Sequence, residues 1–156
     1  MKNILFIVLV ILTSCNKERS TMYNANLINN TSHSIVIRPY SSGQIVTENV
    51  IIIPTLTRKE IANGIDRGIN GNSGFSSKYL DNSDSLRVTF DDIYTITHYN
   101  FSNPSSLNTR HYLNTSLRNL INYRSYLFDS KSLSKYQVEN TYNFEFKEQD
   151  YLDAKP

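Results

Sequence analysis

A strict alternation of polar and apolar residues near the carboxyl end constrains the fold of this chain more than any other feature. One side of the pattern carries Tyr136, Val138, Tyr142, Phe144 and Phe146. The other side carries Glu139, Thr141, Asn143, Glu145 and Lys147. Because successive side chains of a β-strand point to opposite faces of a sheet, the pattern predicts a long strand with one face in the core.

The same period of two occurs in the segments 85–91 and 93–99, which meet at Asp91 and Asp92. Two alternating segments that are joined by two turn-forming residues are typical of a β-hairpin. This is the clearest hairpin signal in the chain.

Weaker signals fill the first half of the chain. The segments 22–28 and 34–40 flank a turn-forming cluster at 29–33, which predicts another hairpin. Residues 50–53 are four β-branched residues in a row, which predicts a strand buried on both faces. Four of the five glycines fall in residues 63–77, which predicts a long surface loop.

The stretch 113–127 allows two interpretations. Its leucines fall near helical spacing and favour a short helix, whereas its asparagines and tyrosines favour a loop. Residues 148–154 can add a helical turn. With about seven short strands and no alternation of strands with helices, the expected fold is all-β, an antiparallel β-sandwich of immunoglobulin or transthyretin type. One short helix remains an open alternative.

The amino terminus has the pattern of an export signal. Lys2 precedes nine consecutive apolar residues, 4–12, and Cys15 follows shortly after them. Nine helical residues rise about 14 Å, about half the thickness of a hydrocarbon core, so the stretch predicts a signal peptide and not a membrane span. The ending Leu12-Thr13-Ser14-Cys15 resembles the lipobox of bacterial lipoproteins. An ordinary secretory signal is the alternative.

The lipobox resemblance implies a division of the chain into three parts. Residues 1–14 would be a signal peptide, residues 15–21 a lipidated tether, and residues 22–156 a single β-sandwich domain. Lipid on Cys15 would hold the protein on the membrane of the cell envelope. The outer membrane is favoured, facing the periplasm or the surface, because Asn16 does not match the aspartate signal for inner-membrane retention.

Cys15 is the only cysteine, so the chain can form no internal disulfide and no cysteine-based zinc site. His33, His98 and His111 show no metal-ligand spacing, and no catalytic motif is present, so we expect no metal, no cofactor and no catalytic residue. The near balance of 16 basic and 14 acidic residues argues against a nucleic-acid partner.

Aromatic and arginine side chains are concentrated in the residues that follow position 109. The predicted binding surface for an envelope protein or glycan consists of Arg110, Tyr112, Arg118, Tyr123 and Tyr126. Tyrosine and arginine are frequent at protein interfaces, which favours this interpretation. The alternative is that these tyrosines fill the core of a sandwich that has no tryptophan.

Two features resemble proteins of the Bacteroidota. Residues 119–154, with Asn122-Tyr123, 142–146 and 148–151, are similar to the end of small uncharacterised Bacteroidota lipoproteins. That likeness implies a periplasmic or surface β-sandwich in which residues 118–126 are loop. The tripeptide Asp84-Ser85-Leu86 resembles the motif at which these bacteria attach O-glycans, so Ser85 is a candidate modification site.

The combined expectation is a lipid-anchored binding or accessory module of the cell envelope. One alternative is an envelope hydrolase that acts on glycans or peptides. The other alternative is an inhibitor or immunity-type lipoprotein.

Overall fold

A computed structural model of the protein describes residues 18–68, 74–102, 104, 107–108 and 110–156. The predicted signal peptide and Cys15 lie outside these residues, and lipidation therefore stays a prediction. The predicted tether extends to residue 21, whereas strand pairing already begins at Ser20.

The described residues form ten strands, two short 3₁₀ turns and one α-helix. The strands are β1 (Ser20–Asn29), β2 (Ile35–Ser41), β3 (Gln44–Ile45), β4 (Ile51–Ile53), β5 (Arg58–Arg67), β6 (Ser85–Phe90), β7 (Tyr94–Tyr99), β8 (His111–Tyr112), β9 (Leu127–Ser134) and β10 (Gln137–Phe146). The 3₁₀ turns are Thr47–Asn49 and Tyr123–Ser125, and the helix is α1 (Glu148–Ala154).

The strands form two sheets that pack together. The four-stranded sheet has the order β5-β1-β10-β9, and the six-stranded sheet has the order β3-β2-β6-β7-β8 with β4 also paired to β2. The all-β sandwich is therefore confirmed. The sheets are not purely antiparallel as expected but mixed, since β1 pairs with β10 and β7 pairs with β8 in parallel, while the other pairs are antiparallel.

The core lies between the two sheets and is rich in aromatic residues. Phe144 and Phe146 of β10 are buried, as the alternation of that strand predicts. Phe90 of β6 meets Phe146 edge-on, with 6.4 Å between the ring centroids, so the contact joins the two sheets. Burial of a phenylalanine side chain contributes about 1.5–3 kcal/mol, which lets the domain fold without a disulfide.

The hairpin of β6 and β7 is confirmed, but its connection has three residues, 91–93, and not the two that were expected. Asp91 and Asp92 both have positive φ, 50° and 56°, and the N–H of Ile93 donates to the carbonyl oxygen of Phe90 at 2.9 Å. Aspartate tolerates positive φ better than most residues, which explains why these two residues can form the turn.

The predicted hairpin of 22–28 with 34–40 is wrong, because β1 and β2 belong to different sheets. The side chain of Asn29 is fully buried where the chain crosses between them. Its amide donates to the carbonyl oxygens of His33 at 2.8 Å and Pro54 at 3.0 Å. Its side-chain oxygen accepts from Thr31 N–H at 3.0 Å, so these bonds hold an arch and not a hairpin turn.

Two other local predictions need correction. Residues 63–67 are not loop but the second half of β5, and residues 69–73 lie outside the described part of the chain. The strand of residues 50–53 is buried on one face only, since Ile52 is 64% exposed. The reason is that β4 lies at an edge of its sheet, paired to β2.

The stretch 113–127 contains turns and the single 3₁₀ turn Tyr123–Ser125, so the loop alternative is correct. The helical turn expected at 148–154 is confirmed as α1.

Candidate functional site

The outer face of the six-stranded sheet carries an open groove of about 590 Å³. Ile37 and Val88 point into the core, so the residues that alternate with them on β2 and β6 point outward. The described residues that line the groove are Arg38, Tyr40, Arg87, Thr89, Asp92, Thr95, Thr97, Asn108 and Arg110. Three arginines and three threonines thus line one concave surface.

Strand register places two of these arginines side by side. Arg38 of β2 and Arg87 of β6 are direct partners across the antiparallel pair. Thr97 of β7 is the next partner of Arg87, so the three residues form one row across the sheet. Like charges directly opposite each other on neighbouring strands destabilise a sheet. The pairing of Arg38 with Arg87 is therefore not explained by a contribution to the stability of the sheet.

The groove offers Arg38 little compensation for its charge. Its Nη2 lies 3.6 Å from the Oδ1 of Asp92, a side chain that is 74% exposed. Its Nη1 donates a long bond of 3.4 Å to the hydroxyl of Thr89. Exposed ion pairs of this kind contribute little to stability because water and salt screen them.

Arg87 contacts an aromatic ring instead of a carboxylate. Its Cζ lies 4.4 Å from the ring centroid of Tyr40, and its Nη1 donates to the Tyr40 hydroxyl at 3.4 Å. Among the described residues, no carboxylate oxygen lies within 4.0 Å of the guanidinium of Arg87. The ring orients the guanidinium while its charge stays unpaired.

Arg110 adds the third charge at the far side of the groove. It precedes β8, and its carbonyl oxygen accepts from Thr97 N–H at 3.0 Å, which ties its backbone to β7. The described residues provide no ion-pair partner for its guanidinium either. Three cationic side chains therefore share the groove with one carboxylate, that of Asp92.

The floor of the groove is made of hydroxyl groups. The hydroxyls of Thr89 and Thr95 lie 3.0 Å apart, and Thr97 accepts from the Asn108 amide at 2.8 Å. Thr89 and Thr97 are largely buried, 7% and 2% exposed, so their hydroxyls are engaged by these partners within the chain. Guanidinium groups favour carboxylates, sulfates and phosphates, which they can bind through two parallel hydrogen bonds. The surface therefore suits an anionic ligand.

Of the five residues of the predicted binding surface, the structure places Arg110 and Tyr112 together at a pocket of about 440 Å³. Arg110 is the only one of them that lines the groove. Tyr123 is 62% exposed and lies beside Arg124. Tyr126 is buried, and its hydroxyl donates to the carbonyl oxygen of Leu120 at 3.0 Å, so it belongs to the core. Burial raises the pKa of the Tyr126 hydroxyl.

Arg118 and Tyr112 bind the C-terminal helix to the sandwich. Arg118 donates from Nε and Nη2 to the buried carboxylate of Asp150, and also from Nη2 to the Glu145 carbonyl oxygen at 2.9 Å. The Tyr112 hydroxyl donates to Asp153 at 2.5 Å, and burial raises its pKa. Both side chains thus have structural partners within the chain.

Ser85 is the first residue of β6 and is half-buried, on the same face of the sheet as Arg87. Its O-glycosylation stays a prediction.

Arg38 and Arg87 are absent from the residues that sequence reasoning singles out. Both lie at outward positions of alternating segments, and these positions can be predicted from the sequence. Alternation does not reveal which strands become neighbours, and only that pairing brings the two charges together.

The three histidines lie outside the groove's lining residues. His33 stacks on Tyr151 at 3.5 Å, and its Nδ1 lies 2.5 Å from Asp91. This hydrogen bond, followed by that of the Ser34 N–H, lowers the pKa of the Asp91 carboxyl. His111 has its Nδ1 2.7 Å from the Asn108 carbonyl oxygen.

His98 is buried, and its Nδ1 accepts from Leu120 N–H at 2.8 Å. Burial, with a smaller contribution from the charge of Arg118, lowers the pKa of His98 to about 3. Within the described ranges, no group of three histidine, cysteine, aspartate or glutamate side chains is placed to hold a metal ion.

The chain matches no protein-family model, no curated protein and no solved structure in the comparisons made with it. In the part of the chain that the structure describes, no helix combines the length and apolar character that crossing a bilayer requires.

Proposed function

We propose that the protein is a lipid-anchored binding module of the bacterial cell envelope that binds an anionic ligand on the outer face of its six-stranded sheet. The direct pairing of Arg38 with Arg87 is the observation that carries the proposal. A like-charge pair costs stability, and such costs are typical of functional sites. A bound anion would neutralise the pair.

The proposed location in the cell envelope rests on the amino-terminal sequence. The lipobox-like ending at Cys15 supports lipidation, and Asn16, which does not match the aspartate signal for inner-membrane retention, favours an outer-membrane location. Replacing Cys15 with serine should therefore release the protein from the membrane fraction as an unlipidated precursor. Fractionation of cells that still finds Cys15→Ser firmly membrane-bound would contradict the lipid anchor.

Binding is favoured over hydrolysis by the composition of the groove. Glycosidases generally need two carboxyl groups on either side of the scissile bond. The described lining residues include one carboxylate, Asp92, and no histidine. The groove therefore lacks a carboxyl pair but has several donors for an anion.

A sedimentation experiment tests the proposal. Full-length lipidated protein in detergent is mixed with detergent-extracted envelope fragments of the producing bacterium, and the bound fraction is measured. Arg38→Gln combined with Arg87→Gln should lower the affinity about tenfold or more, since each charged hydrogen bond contributes about 1.5–3 kcal/mol. The matched control is Arg58→Gln, an exposed arginine on β5 in the other sheet.

The control variant should bind like the wild type. Absence of binding by the wild type would contradict the binding function. Equal binding by the wild type and the double variant would contradict the assignment of the groove.

A further inference from the structure

We infer that the edge strand β9 is a self-association surface, on which a second copy of the chain adds its own β9 in antiparallel orientation with Ser130 on the two-fold axis. The inference goes beyond the proposed function, because it concerns the four-stranded sheet and a protein partner, whereas the groove lies on the other sheet.

β9 forms one edge of the four-stranded sheet and is exposed along its whole length. Among the residues that the structure describes, β10 is the only strand beside it. All eight residues of β9 are exposed, and they include Leu127 at 60% and Phe128 at 58%. Half of the N–H and C=O groups of an edge strand point away from its neighbour and can pair with another strand. Because the side chains are exposed on both faces, the six-stranded sheet does not overlie β9 and leaves its free edge accessible.

The side chains of β9 are complementary to themselves in antiparallel order. When Ser130 lies opposite its own copy, Asp129 lies opposite the partner's Lys131, and Lys131 lies opposite the partner's Asp129. Opposite charges that face each other across two strands stabilise the pair. At each end of the stretch, Leu127 comes next to the partner's Leu133. A second copy of β9 therefore supplies both the charges and the apolar contacts that match this strand.

The charges of β9 are not used within the chain. Lys131 lies opposite Glu139 of β10 in the register, yet among the described residues neither Lys131 nor Asp129 has an ion-pair partner within 4.0 Å. A lysine alone on an edge strand hinders pairing, but the aspartate two positions away makes the same lysine a match for a second copy. The two charges also select the register. A two-fold axis at Asp129 or at Lys131 would place like charges opposite each other.

The regular part of β9 is long enough for this pairing. Residues 127–132 keep one unbroken register against β10, and the register shifts only beyond them, at Leu133. A two-fold axis at Ser130 pairs residues 128–132 with each other, all within the regular part. Such a contact uses the same surface on both copies and closes as a dimer. Its axis is perpendicular to the joined sheet, so the two six-stranded sheets and their grooves lie on the same side of the dimer.

Sedimentation equilibrium in density-matched detergent tests the self-association. Full-length lipidated protein should form a dimer whose fraction rises between about 1 and about 200 µM, because pairing of so few residues buries a small area. Lys131→Glu creates two like-charge pairs beside the axis and should lower the association constant about tenfold or more. The matched control is Lys59→Glu, the same change at an exposed lysine of β5 on the other edge of the sheet. This control should associate like the wild type.

A mixture of two variants separates lost pairing from lost folding. Asp129→Lys carries cations at both positions 129 and 131, whereas Lys131→Glu carries anions at both. Neither variant should associate with itself. An equimolar mixture should form a heterodimer about as tightly as the wild type forms its dimer, since both facing pairs are again of opposite sign.

Disulfide formation tests the register. In Ser130→Cys the two introduced thiols lie directly opposite each other, with Cα atoms about 4.5–5.5 Å apart, which a disulfide can bridge. In Ser132→Cys the two thiols lie four positions apart along the strands, about 13 Å, which a disulfide cannot bridge. Oxidation with copper phenanthroline should therefore cross-link Ser130→Cys and leave Ser132→Cys and the wild type as single chains on a denaturing gel.

Three results would overturn the inference. They are a wild type that stays monomeric over the whole concentration range, undiminished association of Lys131→Glu, and a variant mixture that does not associate. An equal loss of association in Lys59→Glu would contradict the assignment to β9. Cross-linking of Ser132→Cys as efficient as that of Ser130→Cys would contradict the position of the two-fold axis.

Discussion

At the scale of single residues, the carboxylate of Asp150 depends on one cation. Asp150 is 4% exposed at the start of α1, and Arg118 donates to both of its carboxylate oxygens. Removing one partner of a buried ion pair leaves an uncompensated charge, which typically costs about 3–5 kcal/mol. Arg118 therefore acts in folding, although its residue type suggests an interface.

Arg118→Met should consequently lower the free energy of unfolding by about 3 kcal/mol. The control is Arg124→Met, since Arg124 is exposed and contacts the ring of Tyr123 at 5.9 Å. We expect that control to change stability by less than about 0.5 kcal/mol. Urea unfolding measures both, and similar losses in the two variants would contradict the structural role of Arg118.

His98 should make stability depend on pH. The native pKa of about 3 lies below the ordinary value of 6.5, so the unfolded chain binds the proton more tightly. The stabilisation is complete above pH 6.5 and is lost as the pH falls toward 3. The linkage slope is about 1.4 kcal/mol per pH unit at most.

Urea unfolding between about pH 6.5 and pH 4.5 measures this slope. In His98→Gln the amide oxygen can still accept from Leu120 N–H, but the titrating group is gone. The variant should therefore lose less stability than the wild type over this interval. Equal slopes in the two proteins would show that His98 does not bind a proton on unfolding.

At the scale of elements, a glycine lets an aromatic side chain cover β5. Tyr23 of β1 and Gly64 of β5 are direct partners, and a Cβ on Gly64 would lie 2.4 Å from the Tyr23 hydroxyl oxygen. The ring compensates for the missing side chain of the glycine, a device known from designed sheets. The glycine therefore belongs to the strand, although glycine-rich segments usually indicate loops.

A double-mutant cycle tests this pair. Gly64→Ala should lower the free energy of unfolding by about 1 kcal/mol or more, because the Tyr23 ring must move away. In a Tyr23→Leu background the same change should cost nothing or stabilise the strand, since alanine loses less entropy than glycine. Thermal unfolding of the four proteins gives the coupling energy, and a coupling near zero would contradict the contact.

Local elements could be predicted from the sequence where their partners are close in the chain. The hairpin of β6 and β7 needs a three-residue connection, and its alternation with two aspartates is visible in the sequence. The connection of β1 to β2 depends on Asn29, whose amide binds the carbonyl of Pro54. A partner so distant leaves no local signal, so the same kind of pattern predicts a hairpin where an arch forms.

At the scale of the whole molecule, the two ends of the domain are joined. β1 pairs in parallel with β10, with Ser20 opposite Gln137 and Asn29 opposite Phe146. Parallel pairing cannot be made by a hairpin and here connects the most distant parts of the described chain. The alternation of each strand could be predicted, but this pairing could not, since alternation is the same for parallel and antiparallel neighbours.

The candidate site is a property of the whole sheet for the same reason. Residue type favours Arg118 and Tyr126 as binding residues, yet Arg118 has hydrogen bonds to Asp150 and Tyr126 is buried in the core. The residue types of Arg38 and Arg87 do not mark them as binding residues, yet the register of β2 and β6 makes them neighbours. A site of this kind depends on which strands are neighbours in the sheet. That order is known from the fold and not from the sequence pattern.

The most direct test of the groove compares stability with binding in one variant, Arg87→Gln. Removal of a charge that faces Arg38 should leave the free energy of unfolding within about 0.5 kcal/mol of the wild type, or raise it. The same change should lower the affinity for envelope fragments about tenfold. Undiminished binding by a folded Arg87→Gln protein would contradict the account.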